Sequence, residues 1–267
     1  MKTILPSLAA LLAFTISTAT LLAGDAAADN LSPGQILKNV RENYASLASY
    51  SDEGRIVATM NGNTSATTFT TRLARSNFYR IEWQPGAGSS RSAKNTGAQA
   101  VWSSGAGNFL EIGRGAQNQI SRELALTEAA APSVGATATV PRIFFDMPWG
   151  NPGGQLADLV SDGHRQADGQ VGGVDCYVFA TELSGRQTTL WIGRQDFLIH
   201  QIRTVISAEA MRAVLVGAGT DPGLLELKPG SLGFTVTETH AGIAVNKPFS
   251  RWDFVPTFPL SPSLDIE

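Results

Sequence analysis

The chain has one cysteine, three histidines and little charge: Asp, Glu, Lys and Arg make up only 16% of its 267 residues. A single cysteine excludes an internal disulfide. Cys176 lies in an apolar, β-branched run with no histidine beside it, which predicts a buried structural thiol and not a nucleophile. His164, His200 and His240 form neither H-x-x-x-H nor H-E-x-x-H, so zinc has no motif. His200 reads as a satisfied structural residue within a strand, and His164 as part of an exposed turn. There is no G-x-S-x-G elbow. Asp52 and Glu53 are adjacent, so a strand sends them to opposite faces and they make no ready acid–base pair. A net charge of −3 with no basic run excludes a nucleic-acid footprint. The stretch V-G-A-G-T-D-P-G at 216–223 resembles a dinucleotide fingerprint, but Pro222 stands at the third glycine position and no βαβ unit surrounds it. The residues predict no catalytic site, cofactor or metal.

What is present begins with a leader. Lys2 precedes an uncharged apolar run from Leu5 to Leu22, and Ala26-Ala27-Ala28 offers a small-residue cleavage site before Asp29. Residues 1–28 are therefore predicted to be a secretory signal peptide, with a membrane anchor as the alternative. Asp25 stands where a lipoprotein signal requires cysteine. The 43% of hydrophobic residues allow a sizeable core.

Ser32-Pro33 is an N-cap followed by a proline at the first helical position. Ile36, Leu37, Val40, Tyr44 and Leu47 then recur at helical spacing, predicting a helix over 33–48. From Tyr50 the period becomes two. Strands are predicted over 51–60 and 65–75, turning at Asn61-Gly62, then over 77–83, 98–103 and 108–113. Residues 117–160 break this pattern. Gln117 to Ala130 favours helix, and an apolar segment ends in I-F-F-D-M-P-W at 143–149. The stretch Val174–Val205 is three short β runs separated by tight breaks, which forces an antiparallel meander. A short helix over 208–216 and strands over 234–240 and 249–255 complete the expectation. Large apolar side chains on a curved sheet with a helical lid form either a solid core or a cavity for an apolar ligand.

Several segments resemble the bacterial outer-membrane lipoprotein carrier family and its periplasmic relatives. They are the helix I-L-K-N-V-R-E-N-Y-A-S-L-A-S-Y from Ile36, L-A-R-S-N-F-Y-R-I-E-W from Leu73, A-V-W-S-S-G-A-G-N-F-L from Ala100, T-T-L-W-I-G-R-Q-D-F-L-I-H-Q-I from Thr188 and F-S-R-W-D-F-V-P from Phe249. The second is similar to the family's K-R-P-x-x-F-x-W, with Ser76 in place of the proline. The resemblance implies an incomplete antiparallel β-barrel closed by helices, with an interior that holds acyl chains. It also places Arg75 where the family's arginine holds the helical lid by hydrogen bonds to backbone carbonyls. A solvated arginine at a strand end is the alternative for Arg75.

The expected fold is thus α+β, mainly β: a single domain over 29–267 whose curved antiparallel sheet forms an incomplete β-barrel, with a helical lid over about 117–160. The expected function is a periplasmic, monomeric carrier of a lipid or acylated lipoprotein, with no cofactor and no enzymatic activity. Phe78, Trp83, Trp102, Phe144, Phe145, Trp149, Phe179 and Trp191 are expected to line the cavity, with Phe144 to Trp149 as lid and Arg75 as latch. The meander is expected to be the back wall. Tyr177 or Phe179, and one of Leu190 and Trp191, would face inward, and a one-residue slip in register would exchange them. The alternatives are an envelope sensor that binds a membrane protein on the same fold, and a hydrolase using His164 or His200.

Overall fold

The first described element is set by a reciprocal cap. The Ser32 hydroxyl accepts from the Gln35 amide at 3.3 Å, and the Gln35 side chain accepts from the Ser32 amide at 2.8 Å. With Pro33 at its start, helix α1 (Pro33–Ser46) buries Ile36, Leu37, Val40 and Tyr44 on one stripe. The computed structural model describes residues 31–60, 62–86, 99–111, 117–119, 121–130, 139–147, 163–183, 185–217 and 233–256. The signal-peptide expectation for 1–28 lies outside them. All of them except Leu31 belong to one compact unit that begins at Ser32.

Twelve strands among the described residues form one sheet. In chain order these are β1 (Ser49–Met60), β2 (Asn63–Ala74), β3 (Phe78–Pro85), β4 (Gln99–Ser104), β5 (Asn108–Glu111), β6 (Gln117–Gln119), β7 (His164–Arg165), β8 (Gly169–Val171), β9 (Val174–Leu183), β10 (Arg186–Gly193), β11 (Ile199–Ile206) and β12 (Phe234–Val245). Their order is β6-β5-β4-β3-β2-β1-β12-β11-β10-β9-β7, with β8 also on β9, and every pairing is antiparallel. The sheet is open and does not close into a barrel. Two meanders meet at a central seam, β1 against β12. A bulge lies in that seam between Ser51 and Glu53, opposite a stretch of β12 in which Gly242 adopts φ +59°.

The Asn-Gly hairpin, the β4–β5 hairpin and the 174–205 meander stand where the sequence puts them. Helix α4 (Ala208–Gly217) also matches. Two expectations are corrected. Gln117–Gln119 is an edge strand, not the start of a helix, because its backbone pairs with β5. Helix α2 (Arg122–Ala130) begins after it, where the Ser121 hydroxyl accepts from the Leu124 amide at 3.1 Å. The stretch 249–255 is not a strand. Asp253 accepts from both the amide and the hydroxyl of Ser250, which winds Arg251–Phe254 into a 3-10 turn. The expected helical turn at 155–160 lies outside the described residues. Helix α3 (Thr139–Phe144) contacts α1, and α2 contacts β4 and β5. No helix among the described residues is long and apolar enough to cross a membrane.

Candidate functional site

Strand alternation divides the side chains into two sets, and the helices mark one of them as inner. Tyr50 of β1 meets Tyr44 of α1, ring centroids 5.8 Å apart. Tyr79 of β3 meets Phe145, just after α3, at 6.2 Å. Following the register from these anchors, the inner set is Tyr50, Asp52, Gly54 and Ile56 on β1; Phe69, Thr71 and Leu73 on β2; Tyr79, Ile81 and Trp83 on β3. It continues with Val236, Glu238 and His240 on β12, Ile202 and Thr204 on β11, Leu190 on β10 and Phe179 on β9.

This settles where the expected liners go. Trp83 and Phe179 are on the inner face, and Phe144 and Phe145 reach it from α3. Trp83 also donates its indole N–H to Gln99 at 2.9 Å. Phe78, Trp102 and Trp191 are not brought together with them. Each alternates against an inner residue, so each lies on the opposite face of the sheet. There Phe78 packs on Phe254 at 5.4 Å, and Trp102 stacks on Phe109 at 5.4 Å. Trp149 lies outside the described residues. Of the meander pairs, Tyr177 and Phe179 both face inward, and Leu190 does so in place of Trp191.

The outer face is covered by the C-terminal turn, and two arginines fasten it. Arg80 donates to the Val255 carbonyl at 2.7 Å, and Arg72 to the Asp253 carbonyl at 3.3 Å. Aromatics are therefore buried on both sides of β3 and β4.

Arg75 joins the two helices over the inner face. Its Nε donates to the Leu47 carbonyl at 3.2 Å, and its Nη2 to the carbonyls of Tyr44 at 2.8 Å and Ala45 at 3.0 Å. Its Nη1 donates to the Phe144 carbonyl, and the guanidinium sits 4.3 Å from the Phe144 ring centre. These acceptors lie at helix C-termini, where a cation is favoured. Arg122 stacks on Phe145 at 4.5 Å from the other side.

The sequence reading missed a buried ionic cluster at the seam. Asp52 Oδ2 accepts from the Tyr50 hydroxyl at 2.8 Å and lies 2.6 Å from His240 Nδ1. His240 Nε2 lies 3.2 Å from Glu238 Oε1. The side chains of Asp52, His240 and Glu238 are 0%, 2% and 1% exposed. Burial alone would depress the imidazolium, but the two carboxylates outweigh it and raise His240 to about 10. Glu238 and His240 are two apart on one strand and so share a face, which is a visible signal; their union with Asp52 is not. The Phe69 ring lies edge-on to His240 at 5.6 Å, and a Cβ on Gly54 would fall 2.0 Å from it. Gly54→Ala is therefore expected to lose about 1–3 kcal/mol in urea unfolding, by displacing that ring.

The other expected residues behave as structure. His200 Nε2 pairs with Asp196 at 3.0 Å. His164 is exposed but lies in a short strand paired with β9, not in a turn. Cys176 is buried, and desolvation pushes its thiol up to about 11. Alkylation by iodoacetamide at pH 8 is expected to be negligible in the native protein and complete in denaturant. Among the described residues, no three His, Cys, Asp or Glu side chains are placed to share a metal ion.

No protein-family model matches the chain, and no curated protein does. Solved structures with a similar arrangement include the Pseudomonas aeruginosa MucA/MucB complex, at 12% identity and a TM-score of 0.43 over 84% of this chain and 60% of that one. The chain thus spans less than two thirds of that structure's length. LprF from Mycobacterium bovis aligns at 10% identity and a TM-score of 0.41, over 82% of this chain and 94% of that one. A LolA superfamily protein from Nitrosomonas europaea aligns at 12% identity and a TM-score of 0.32, over 85% and 98%. The chain is similar to these structures at low identity, and its described residues form an open antiparallel sheet with few helices.

Proposed function

We propose that this chain is a cell-envelope carrier that holds the acyl part of a lipid or lipoprotein between the inner face of its sheet and helices α1 and α3. The observation that carries this reading is the Arg75 clasp. One side chain from the β2–β3 turn bonds carbonyls at the C-terminal ends of both helices. Hydrogen bonds to backbone carbonyls tolerate any helix side chains, and they break as a group when the helices lift. Trp83, Tyr79, Phe144, Phe145, Phe179 and Leu190 are the proposed contacts for the chain. Each buried methylene contributes about 0.8 kcal/mol, so a few suffice for useful affinity.

The protein purified from a bacterial periplasm is expected to release an acyl species into organic solvent, detected by mass spectrometry. It is also expected to bind a fluorescent fatty-acid probe that lipid displaces. If it yields no bound lipid and no probe signal, the carrier reading is wrong. Crosslinking in cells to one stable membrane protein, with no bound lipid, would favour the sensor instead.

A further inference from the structure

The inner face has a surplus negative charge that an acyl-binding surface does not need. The register sets Ile56, Glu238, Ile202, Leu190 and Phe179 side by side across five strands. Four are apolar and one is a carboxylate. The Glu238 side chain is 1% exposed, yet neither of its oxygens has a hydrogen-bond partner. His240 Nε2 is within ion-pair distance but off the hydrogen-bonding direction. A second, independent residue nearby is also unsatisfied. Thr204, buried on β11, has no partner for its hydroxyl. It pairs with Val236 while Ile202 pairs with Glu238, so Thr204 and Glu238 are diagonal neighbours on one face.

The charges of the cluster are not evenly matched. Asp52 is answered by the protonated His240 and by the Tyr50 hydroxyl. Glu238 is left as the excess. What it and Thr204 present is three oxygens able to accept: Oε1, Oε2 and Oγ1. An anionic head group meets the Thr204 hydroxyl and His240 Nε2 as donors, but it sets a second negative charge against the Glu238 carboxylate. A neutral hydroxyl supplies one hydrogen bond and no charge. A metal ion lacks a set of protein ligands among the described residues. A primary ammonium brings one positive charge and three N–H donors, and hydrogen bonds between charged groups are the strong ones.

We propose that Glu238 and Thr204 form a recognition site for a primary ammonium group borne on an apolar tail, with the tail running over Ile202, Leu190 and Phe179. This rests on the carrier reading above and names the ligand class that the carrier selects.

The test uses the full chain at neutral pH and three probes of equal tail length: dodecylamine, dodecanol and dodecanoic acid. Each competes against a fluorescent fatty-acid analogue. The amine is expected to bind about tenfold or more tighter than the alcohol, with the acid weakest. In Glu238→Gln, which keeps the shape and removes the charge, the amine-to-alcohol ratio is expected to fall close to one. If the three probes bind alike, buried water satisfies Glu238 and the ammonium site is overturned, while the carrier reading stands. If none displaces the analogue, and the analogue itself does not bind, both fall. Should the variant fail to fold, the series on the unaltered chain still decides.

Discussion

Asp52→Ala is expected to remove about 3–5 kcal/mol of folding stability, the usual consequence of deleting one partner of a buried ion pair. Asp52 Oδ2 receives both the Tyr50 hydroxyl and His240 Nδ1 in a site with no solvent contact. Its loss leaves the phenol and the imidazolium without an acceptor, and it weakens the balance that keeps His240 charged. The pH dependence follows from that balance. His240 is raised from 6.5 to about 10 in the folded state. Between those values the folded chain holds a proton that the unfolded chain has lost. The cluster's contribution is therefore complete below about pH 6.5 and disappears as the pH climbs toward 10. Urea midpoints measured from pH 6 to 10 are expected to fall in the unaltered protein and to flatten over that window in His240→Gln. A flat curve for the unaltered protein would contradict an ionised cluster.

Arg75→Leu is the second large effect. It removes donors to four carbonyls, three at the end of α1 and one at the end of α3, together with the stacking on Phe144. The loss is expected to be about 2–4 kcal/mol. For a domain of this size that lowers the melting temperature by roughly 5–15 °C. Amide exchange over Thr139–Met147 is expected to rise more than exchange in β1 and β12, because α3 loses its tie to α1 while the seam keeps its ladder. Arg75→Lys restores the charge but not the fork, so an intermediate result is expected. Uniform exchange across α3 and the seam would mean that Arg75 stabilises the whole unit and clasps nothing in particular.

What could be read from the sequence was local. Ser32-Pro33 with Gln35 specifies the start of α1 within four residues. Asn61-Gly62 specifies a hairpin, and the short breaks in 174–205 leave no choice but antiparallel strands. The facing of the aromatics could not be read in the same way. Phe78 and Tyr79, or Leu190 and Trp191, are adjacent and both largely apolar, so alternation alone does not say which enters. For Phe78 and Tyr79 the reason is the turn at Arg251–Phe254, which buries the outer side of β3 and β4 as well; Trp191 instead lies near Gly169. Arg75 was legible only through the family resemblance; nothing in L-A-R-S-N predicts that its guanidinium reaches the ends of two helices. The ionic cluster needed a pairing between residues 188 apart, which no window along the chain contains.

The seam between β1 and β12 has a consequence for the time course of folding. Among the described residues β1 is the first strand made and β12 the last, so the first meander must wait for most of the chain before its inner edge is covered. The closure is non-local and therefore slow compared with the hairpins on either side. Until it happens, β1 and β12 each present an open edge able to pair with another molecule. Asp52 and His240 meet only at that moment, so burial of their charges and proton uptake by the imidazole should report the joining of the two half-sheets, well after the hairpins have formed.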